Sequence, residues 1–263
     1  GACGSNQMGE LGVNDKTNRS SPTQIPGTWT DATCGTNRSF GIKSNGTMYG
    51  WGFNQQGWIG DDSGTYKSSP SQIPGTSWSK LATSSTASMA AIRTDGTLWV
   101  WGSGGGNVLQ NAYTPVSSPK QVPGTNWASC STNYNSIWAT KTDGTLWAWG
   151  GNDDGQLGHN ESSPTGYSSP VQVGSETHWS SIHAMMKGAF LKTTGGAVFS
   201  LGSGQIGQRG DNTVIKVSSP VALGGASWSA ISGGRYSAYG VRAVSYTHLR
   251  AHETPEHLVF RLL

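Results

Sequence analysis

Amide and carboxylate side chains cluster in short glycine-containing segments of this 263-residue chain. Such groups coordinate cations and hydrogen-bond polar ligands, so these segments hold the candidate functional residues. The segment Asn152-x-Asp154-Gly155 resembles the start of a calcium loop, but it lacks the alternating ligands and closing glutamate that Ca²⁺ requires. We therefore predict polar turns at a molecular rim. The candidate binding-rim residues are Asn54, Gln55, Asp61, Asp62, Asn152, Asp153, Asp154 and Asp211.

Other arrangements that carry chemistry are not recognisable in the sequence. It shows no Ser-His-Asp arrangement, no Gly-x-Ser-x-Gly elbow, no His-Glu-x-x-His pair and no phosphate-binding loop. His248, His252 and His257 lie near the C-terminus, but Pro255 interrupts any helix that would align all three, and no further ligand is positioned with them. We predict a protein that is not an enzyme and has no catalytic residue, cofactor or metal.

Charge, hydropathy and cysteine content argue against several further classes of protein. The net charge is +3 and charged residues make up 12% of the chain, which is too weak to indicate nucleic-acid binding. No segment approaches the roughly 20 apolar residues of a membrane helix. Three cysteines do not recur at matching positions, so no disulfide framework is predicted, and Cys130 is interpreted as a core residue. Basic residues recur about once per 50 residues, mostly at one strand end, and predict a loose ring on one rim: Arg19, Lys43, Arg93, Lys141, Lys192 and Arg242.

The elements that must position these residues repeat along the chain. A Ser-Ser-Pro tripeptide occurs five times at intervals of 48, 49, 51 and 50 residues. A tryptophan follows each proline by seven to nine residues, and this recurrence indicates core packing between repeated units. The prolines are Pro22, Pro70, Pro119, Pro170 and Pro220, and the tryptophans are Trp29, Trp78, Trp127, Trp179 and Trp228.

The residue pattern within each unit predicts short antiparallel strands. The segment 70–74 contains two prolines and is expected at a sheet edge. Strands are predicted from Trp78, from Ser88 and from Leu98, the last two joined by Asp95-Gly96. Asn-Gly and Asp-Gly pairs favour two-residue type I′ turns with positive φ at both central residues.

The third strand of each unit is apolar on both faces, which suits a sheet packed between two similar sheets. We predict an all-β fold, a β-propeller of about 50-residue blades of short antiparallel strands, with a solenoid of stacked hairpins as the alternative.

The stretch 141–158, Lys-Thr-Asp-Gly-Thr-Leu-Trp-Ala-Trp-Gly-Gly-Asn-Asp-Asp-Gly-Gln-Leu-Gly, strongly resembles the repeat of the regulator of chromosome condensation (RCC1-like) family. The resemblance extends over residues 1 to about 243 and implies a propeller, usually of seven blades with four strands each. The third unit, residues 102–110, departs from the pattern, and the Gly-x-x-His-Ser step of many family repeats lacks its histidine here. The resemblance implies a divergent bacterial or viral member.

The two ends depart from the repeat. The chain begins within a unit, and the pattern breaks after Arg242, so residues 1–243 are expected to hold about five of seven blades, incomplete at both ends. An open ring would expose two blade faces, and we expect marginal stability or aggregation. Residues 244–263 contain no glycine and are interpreted as a non-native or disordered tail, a sequencing or assembly artefact of the kind found in metagenomic sequences.

Three functions follow as hypotheses. The first is a non-catalytic scaffold that binds a protein partner through rim loops, with the variable segments 61–67, 103–116, 159–167 and 203–217 as the contact regions. The second is a carbohydrate- or cell-surface-binding module of a secreted or phage-tail protein, with a glycan as the partner. The third, suggested by the resemblance, is guanine-nucleotide exchange. No nucleic-acid or membrane partner is predicted, and a secreted or virion-associated location is favoured over the cytoplasm.

Overall fold

A computed structural model of the chain describes residues 1–84, 88–102, 115–133, 135–161, 166–225, 227–234 and 237–242. Every regular element in these ranges is a β-strand, and none of them contains a helix long and apolar enough to cross a membrane. The predicted tail, residues 103–110 of the third unit, most of the segment 103–116 and the central part of the segment 159–167 lie outside the described residues.

The strands form four complete antiparallel blades, preceded and followed by a two-stranded sheet. Blade 1 contains β1 (Ala2–Gly4) and β2 (Arg19–Thr23), and blade 2 contains β3 (Trp29–Gly35), β4 (Arg38–Lys43), β5 (Met48–Gly52) and β6 (Lys67–Ile73). The chain segment of blade 3 contains β7 (Trp78–Leu81), β8 (Thr83–Ser84), β9 (Ser88–Arg93), β10 (Leu98–Gly102) and β11 (Val116–Gln121), and blade 4 contains β12 (Trp127–Thr132), β13 (Ser136–Lys141), β14 (Leu146–Gly150) and β15 (Tyr167–Gln172). Blade 5 contains β16 (Trp179–Met185), β17 (Gly188–Thr193), β18 (Val198–Gly202) and β19 (Val217–Leu223), and blade 6 contains β20 (Trp228–Gly233) and β21 (Ala238–Arg242).

Strand order places the blades around an axis. Within each complete blade four strands pair in sequence order, which in blade 3 are β7, β9, β10 and β11. The short strand β8 joins the sheet of the next blade, where it pairs in parallel with β12. The first strands contact one another in blades 2 and 3, 4 and 5, and 5 and 6, while β8 and β9 of blade 3 contact β12 of blade 4. Each fourth strand is the outer edge of its sheet. This radial arrangement of small sheets is a β-propeller, as the repeat predicted.

The Ser-Ser-Pro tripeptides form bulges on the outer strands. In blade 2, Gly52 pairs with Lys67 and Gly50 pairs with Ser71, so the three residues of the tripeptide lie opposite Trp51 alone. The other four tripeptides are bulged in the same way. A bulge on an edge strand tolerates proline because the missing N–H is not needed by a neighbouring strand. The predicted edge strands are therefore confirmed.

The hairpins between second and third strands differ from the predicted type I′ turns. Lys43 N–H donates to the Thr47 carbonyl and Gly46 N–H to the Lys43 carbonyl, which defines a loop of three residues. Positive φ occurs at Gly46 (76°), while the preceding Asn45 does not have it. The same bonds recur in blades 3, 4 and 5. The type I′ prediction is wrong because the chain here forms a turn closed by a left-handed glycine, the other common hairpin that uses Asn-Gly.

Two backbone hydrogen bonds join consecutive blades, one at each rim. The hairpin rim holds the turns between second and third strands and the connectors from each fourth strand to the next blade. Here Trp78 N–H donates to Gly46 O at 2.9 Å. The loop rim holds the turns between first and second strands and the loops between third and fourth strands. Here Asn14 N–H donates to Ser68 O at 2.7 Å. The hairpin-rim bond recurs at the three following interfaces, and the loop-rim bond recurs with Ser117 and Ser218 as acceptors. In these blades the first serine of Ser-Ser-Pro therefore also serves as an inter-blade acceptor.

The core lies between blades. Trp78, Trp127 and Trp179 are buried, and each packs in a cluster with apolar residues of the preceding blade. Trp29 and Trp228, in blades 2 and 6, are partly buried. The predicted packing role of the repeated tryptophans is confirmed.

Candidate binding surface

The loop rim is built from a repeated segment, Asn-x-x-Gly-x-x-Gly, that follows the third strand. In blade 2, Asn54 is fully buried, and its Oδ1 accepts the N–H of Ile59 at 2.8 Å. Its Nδ2 donates to Asp61 Oδ1 at 3.0 Å and to the Ser63 carbonyl at 3.0 Å. The amide thus holds two stretches of one loop together, because every polar atom of its side chain has a partner inside the loop.

Asp61 completes this network. Its Oδ2 accepts a hydrogen bond from Ser71 and lies 3.3 Å from Lys67 Nζ. Burial would raise the pKa of Asp61, but hydrogen bonds from Ser63 and Ser71 and the charge of Lys67 hold that pKa below its usual value. The carboxylate is therefore a structural anion of the loop.

Asp154 is a second anchored carboxylate, and it joins two blades. It is 4% exposed, and Lys187 Nζ and Lys216 Nζ of blade 5 lie 3.2 and 2.5 Å from its two oxygens. Burial would raise the pKa of Asp154, yet the hydrogen bonds and charges of Lys216 and Lys187 lower it. The neighbouring Asn152 is buried and accepts the N–H of Leu157, so neither residue offers the open oxygens of a calcium site.

Blade 5 carries a variant of the same loop. Gly204 stands at the position of the buried asparagine, and Arg209 stands where the other loops have Leu11, Ile59 or Leu157. Arg209 is fully buried and pairs with Asp211 at 2.5 Å. The guanidinium takes over the contact that an asparagine makes with the aspartate in blade 2.

The eight predicted binding residues therefore divide into two groups. Five of them are buried or paired within the loops and hold the rim in shape: Asn54, Asp61, Asn152, Asp154 and Asp211. Three are exposed at the rim and are accessible to a partner: Gln55, Asp62 and Asp153. Asp62 also accepts a hydrogen bond from Ser117 of the next blade, at 3.2 Å.

An aromatic cluster at the loop rim of blade 2 was missed by sequence reasoning. The ring centroid of Phe53 lies 5.3 Å from that of Trp58 and 4.9 Å from that of Tyr66. Tyr66 is 38% exposed, and the buried guanidinium of Arg38 stacks 5.1 Å from the Trp58 ring. Burial lowers the pKa of Arg38 to about 10, so the group remains a cation near neutral pH. The signal was the departure of Gly57-Trp58-Ile59-Gly60 from Gly-Gln-Leu-Gly.

The hairpin rim carries a repeated cation–aromatic group that the sequence indicated only as a loose ring. In blade 3, the Arg93 guanidinium lies 4.5 Å from the Trp78 ring and 4.1 Å from the Trp99 ring. Lys43 in blade 2 and Lys141 in blade 4 make the same pair of contacts, and Arg242 lies 4.9 Å from Trp228. Each of these cations pairs in register with the tryptophan of its own blade.

Two members of the predicted ring are placed elsewhere. Trp179 pairs with Thr193, so Lys192 lies one position away and bonds the Ser229 carbonyl of blade 6. Arg19 starts the outer strand of blade 1 and pairs with Asp15. The predicted ring is thus wrong at both positions: Lys192 is one residue from the partner of Trp179, which places it on the other face of the strand, and Arg19 lies on an outer strand.

No group of three or more metal-ligating side chains occurs in the described ranges. The structure thus presents a propeller with two shaped rims, a class of protein that typically offers binding surfaces.

Comparison with known proteins agrees with this architecture. The family description "Regulator of chromosome condensation (RCC1) repeat" matches residues 2–42 and 143–184. The chain contains repeats of this family and has the fold of its propellers. No curated protein sequence matches the chain.

Among solved structures, human WBSCR16 superposes with a TM-score of 0.80 at 18% identity, covering 92% of this chain and 67% of that protein. Prp20p from Saccharomyces cerevisiae, described with its binding properties to Gsp1p and histones, gives 0.77 at 15% identity, with 87% and 60% covered. A structure of Kap60 bound to yeast RCC1 (Prp20) gives 0.77 at 19%, with 90% and 61% covered. The chain thus spans about 60% of the Prp20 chains. At these identities the likeness establishes the fold.

Proposed function

We propose that this protein is a non-catalytic scaffold that binds a protein partner through its loop rim. The observation that carries the proposal is the aromatic cluster of blade 2. Trp and Tyr are among the residues most enriched at the energetic centres of protein interfaces. Trp58 and Tyr66 both pack against Phe53 at this rim, and the buried guanidinium of Arg38 stacks on the Trp58 ring. The exposed Gln55 in the same loop supplies a polar edge to the surface.

Rigidity of the rim supports the same function. Asn54, Asp61 and Asp154 hold the loops through buried hydrogen bonds and ion pairs, so less conformational entropy would be lost when a partner binds. The likeness to Prp20p, described with Gsp1p, histones and Kap60, supports a protein as the partner class.

The test compares partner capture by two double variants. The first, Trp58→Ala with Tyr66→Ala, removes the aromatic contact area at the loop rim. The second, Thr76→Lys with Thr125→Lys, changes two exposed residues of the hairpin rim and serves as the matched control. Proteins captured from an extract of the source cells are quantified by mass spectrometry. We expect a specific protein that is retained by the unaltered chain and by the control, and lost by at least tenfold from the aromatic variant.

Two results would contradict the proposal. Equal capture of the partner by both variants would show that the loop rim is not part of the binding surface. Acceleration of GDP release from a small GTPase by the chain would contradict the non-catalytic assignment.

A further inference from the structure

Blade 5 keeps the aromatic pair of the hairpin rim but not its cation. The rings of Trp179 and Phe199 lie 5.2 Å apart at 78°, close to the arrangement of Trp78 with Trp99 (6.2 Å, 77°). In the other blades a Lys or Arg pairs in register with the tryptophan, whereas Trp179 pairs with the neutral Thr193. Because Lys192 reaches Ser229 O of blade 6 at 2.7 Å, it does not replace the missing cation.

The connector that enters blade 5 inverts the local charge. In blades 3 and 6 a Cβ on the connector glycine, Gly75 or Gly225, would collide with the guanidinium of Arg93 or Arg242. In blade 5 the connector has no proline and contains Glu176, and a Cβ on Gly174 would collide with the Glu176 carboxylate instead. Glu176 is exposed and forms no ion pair within the described residues. A carboxylate thus lies beside an aromatic pair that lacks its cation.

A cleft of about 550 Å³ opens at this place between blades 4 and 5. Trp179, Phe199 and Glu176 contribute to its wall together with His159 and His178, and no Lys or Arg is among its lining residues. Burial lowers the pKa of His159 despite its contact with the Val171 carbonyl and the charge of Glu161, so this imidazole is neutral at pH 7. The volume lies within the roughly 300–1,000 Å³ of ligand sites and accommodates a long side chain.

We propose that this cleft accepts a basic side chain, Lys or Arg, of a partner protein. The incoming cation lies over Trp179 and Phe199, as Arg93 lies over Trp78 and Trp99 within blade 3, and pairs with Glu176. Aromatic faces attract cations, and a neighbouring carboxylate adds a charge-assisted hydrogen bond. The proposal rests on the proposed function in taking a protein as the partner, but it concerns a different surface, so the two can fail separately.

The test uses three short peptides, acetyl-Gly-X-Gly-amide, in which X is arginine, lysine or the neutral isostere citrulline. Each is titrated into ¹⁵N-labelled protein, and the indole N–H resonance of Trp179, assigned with Trp179→Phe, is followed by NMR. We expect saturable shifts with the arginine and lysine peptides and at least tenfold weaker binding of the citrulline peptide. Glu176→Gln is expected to weaken the arginine peptide by at least fivefold.

Three further variants complete the test. Thr193→Arg supplies an internal cation, as in blade 3, and is expected to abolish the shift. Lys192→Met is the matched control at the next position and should bind as the unaltered chain does. The Trp58→Ala, Tyr66→Ala variant should also keep the shift, which separates this site from the loop rim.

Equal shifts with the citrulline peptide, no shift of Trp179 with any peptide, or unchanged binding by folded Glu176→Gln would overturn the proposal. If the loop rim captures no partner while Trp179 still responds to the arginine peptide, the proposed function fails and the cation site stands.

Discussion

The backbone N–H of Trp78 donates to the carbonyl oxygen of Gly46 at 2.9 Å, so the hairpin of blade 2 holds the first strand of blade 3. Gly46 has a φ of 76°, and a Cβ at this position would stand 3.1 Å from the Ser77 backbone. The turn glycine therefore serves both the hairpin and the interface between two blades.

Substituting Gly46→Ala is expected to destabilise the protein by about 1–3 kcal/mol, since alanine is strained at positive φ and crowds Ser77. Gly64→Ala is the matched control, because its φ is not left-handed and no atom lies within 3.8 Å of the added methyl. The control should be neutral or slightly stabilising. The stability of both variants is measured by urea unfolding, monitored by tryptophan fluorescence. Equal unfolding midpoints would show that alanine is not strained at position 46.

Replacing Asn54→Ala tests the buried amide of the blade 2 loop. The change leaves the N–H of Ile59 without its acceptor and removes one of the donors to Asp61 Oδ1, which keeps its hydrogen bonds from Ser63. A buried polar group left unpaired costs about 1–3 kcal/mol. We expect a loss of at least about 2 kcal/mol in the free energy of unfolding. Gln55→Ala, at the exposed neighbouring position, should change it by less than about 0.5 kcal/mol. A neutral Asn54→Ala would show that the loop does not depend on this side chain.

Sequence reasoning gave the fold because each recurring element has a backbone consequence. Ser-Ser-Pro predicted an edge strand, since proline cannot donate to a neighbouring strand, and the repeated tryptophan predicted a packed interface. The turn type was not accessible, because Asn-Gly is compatible with both two- and three-residue loops and the closing hydrogen bonds decide between them.

The binding surface was predictable only in part. Asn54 and Gln55 are adjacent and chemically alike, yet one is buried and the other exposed. The difference depends on which side chain turns toward Asp61, and this is a property of the folded loop. Lys192 was misplaced for a different reason: counted back from the turn glycine Gly196, Thr193 occupies the position of Arg93, so Lys192 falls one residue short of the tryptophan's partner.

Asp154→Asn is expected to lower the stability by about 1–2 kcal/mol at pH 7, because it removes the charge that Lys187 and Lys216 share while leaving a partly exposed pair of lysines. The folded-state pKa of Asp154 lies below the ordinary value of 3.8. The contribution of the carboxylate is thus present above about pH 4 and is lost as the pH falls through the folded pKa. Thermal unfolding at pH 7 and at pH 2.5 should show a difference between the two proteins that shrinks in acid. If the difference in stability between the two proteins is the same at both pH values, the effect of Asp154→Asn comes from packing and not from charge.

Thiol reactivity should separate the three cysteines. Cys3 and Cys34 are exposed, whereas burial raises the pKa of Cys130 to about 12. A thiol reacts as the thiolate, so a buried thiol with so high a pKa is inert in the folded protein. Ellman's reagent at pH 8 is expected to titrate two thiols at once and the third only in denaturant. Rapid reaction of all three would place Cys130 outside the core.

Blade 5 offers a test of how one loop accommodates two linked replacements. Arg209→Leu alone removes the guanidinium that pairs with Asp211, and Gly204→Asn alone brings a side chain against the buried Arg209, whose Nε lies 2.7 Å from a Cβ at this position. Each single variant should therefore be less stable than the unaltered chain. The double variant recreates the pattern of blade 2, in which Asn54 donates to Asp61 and Ile59 fills the apolar position. We expect it to regain stability, with a coupling free energy of at least about 1 kcal/mol in a double-mutant cycle of urea unfolding. Additive losses would mean that the changes at Arg209 and Gly204 act independently and that Asp211 does not need either partner.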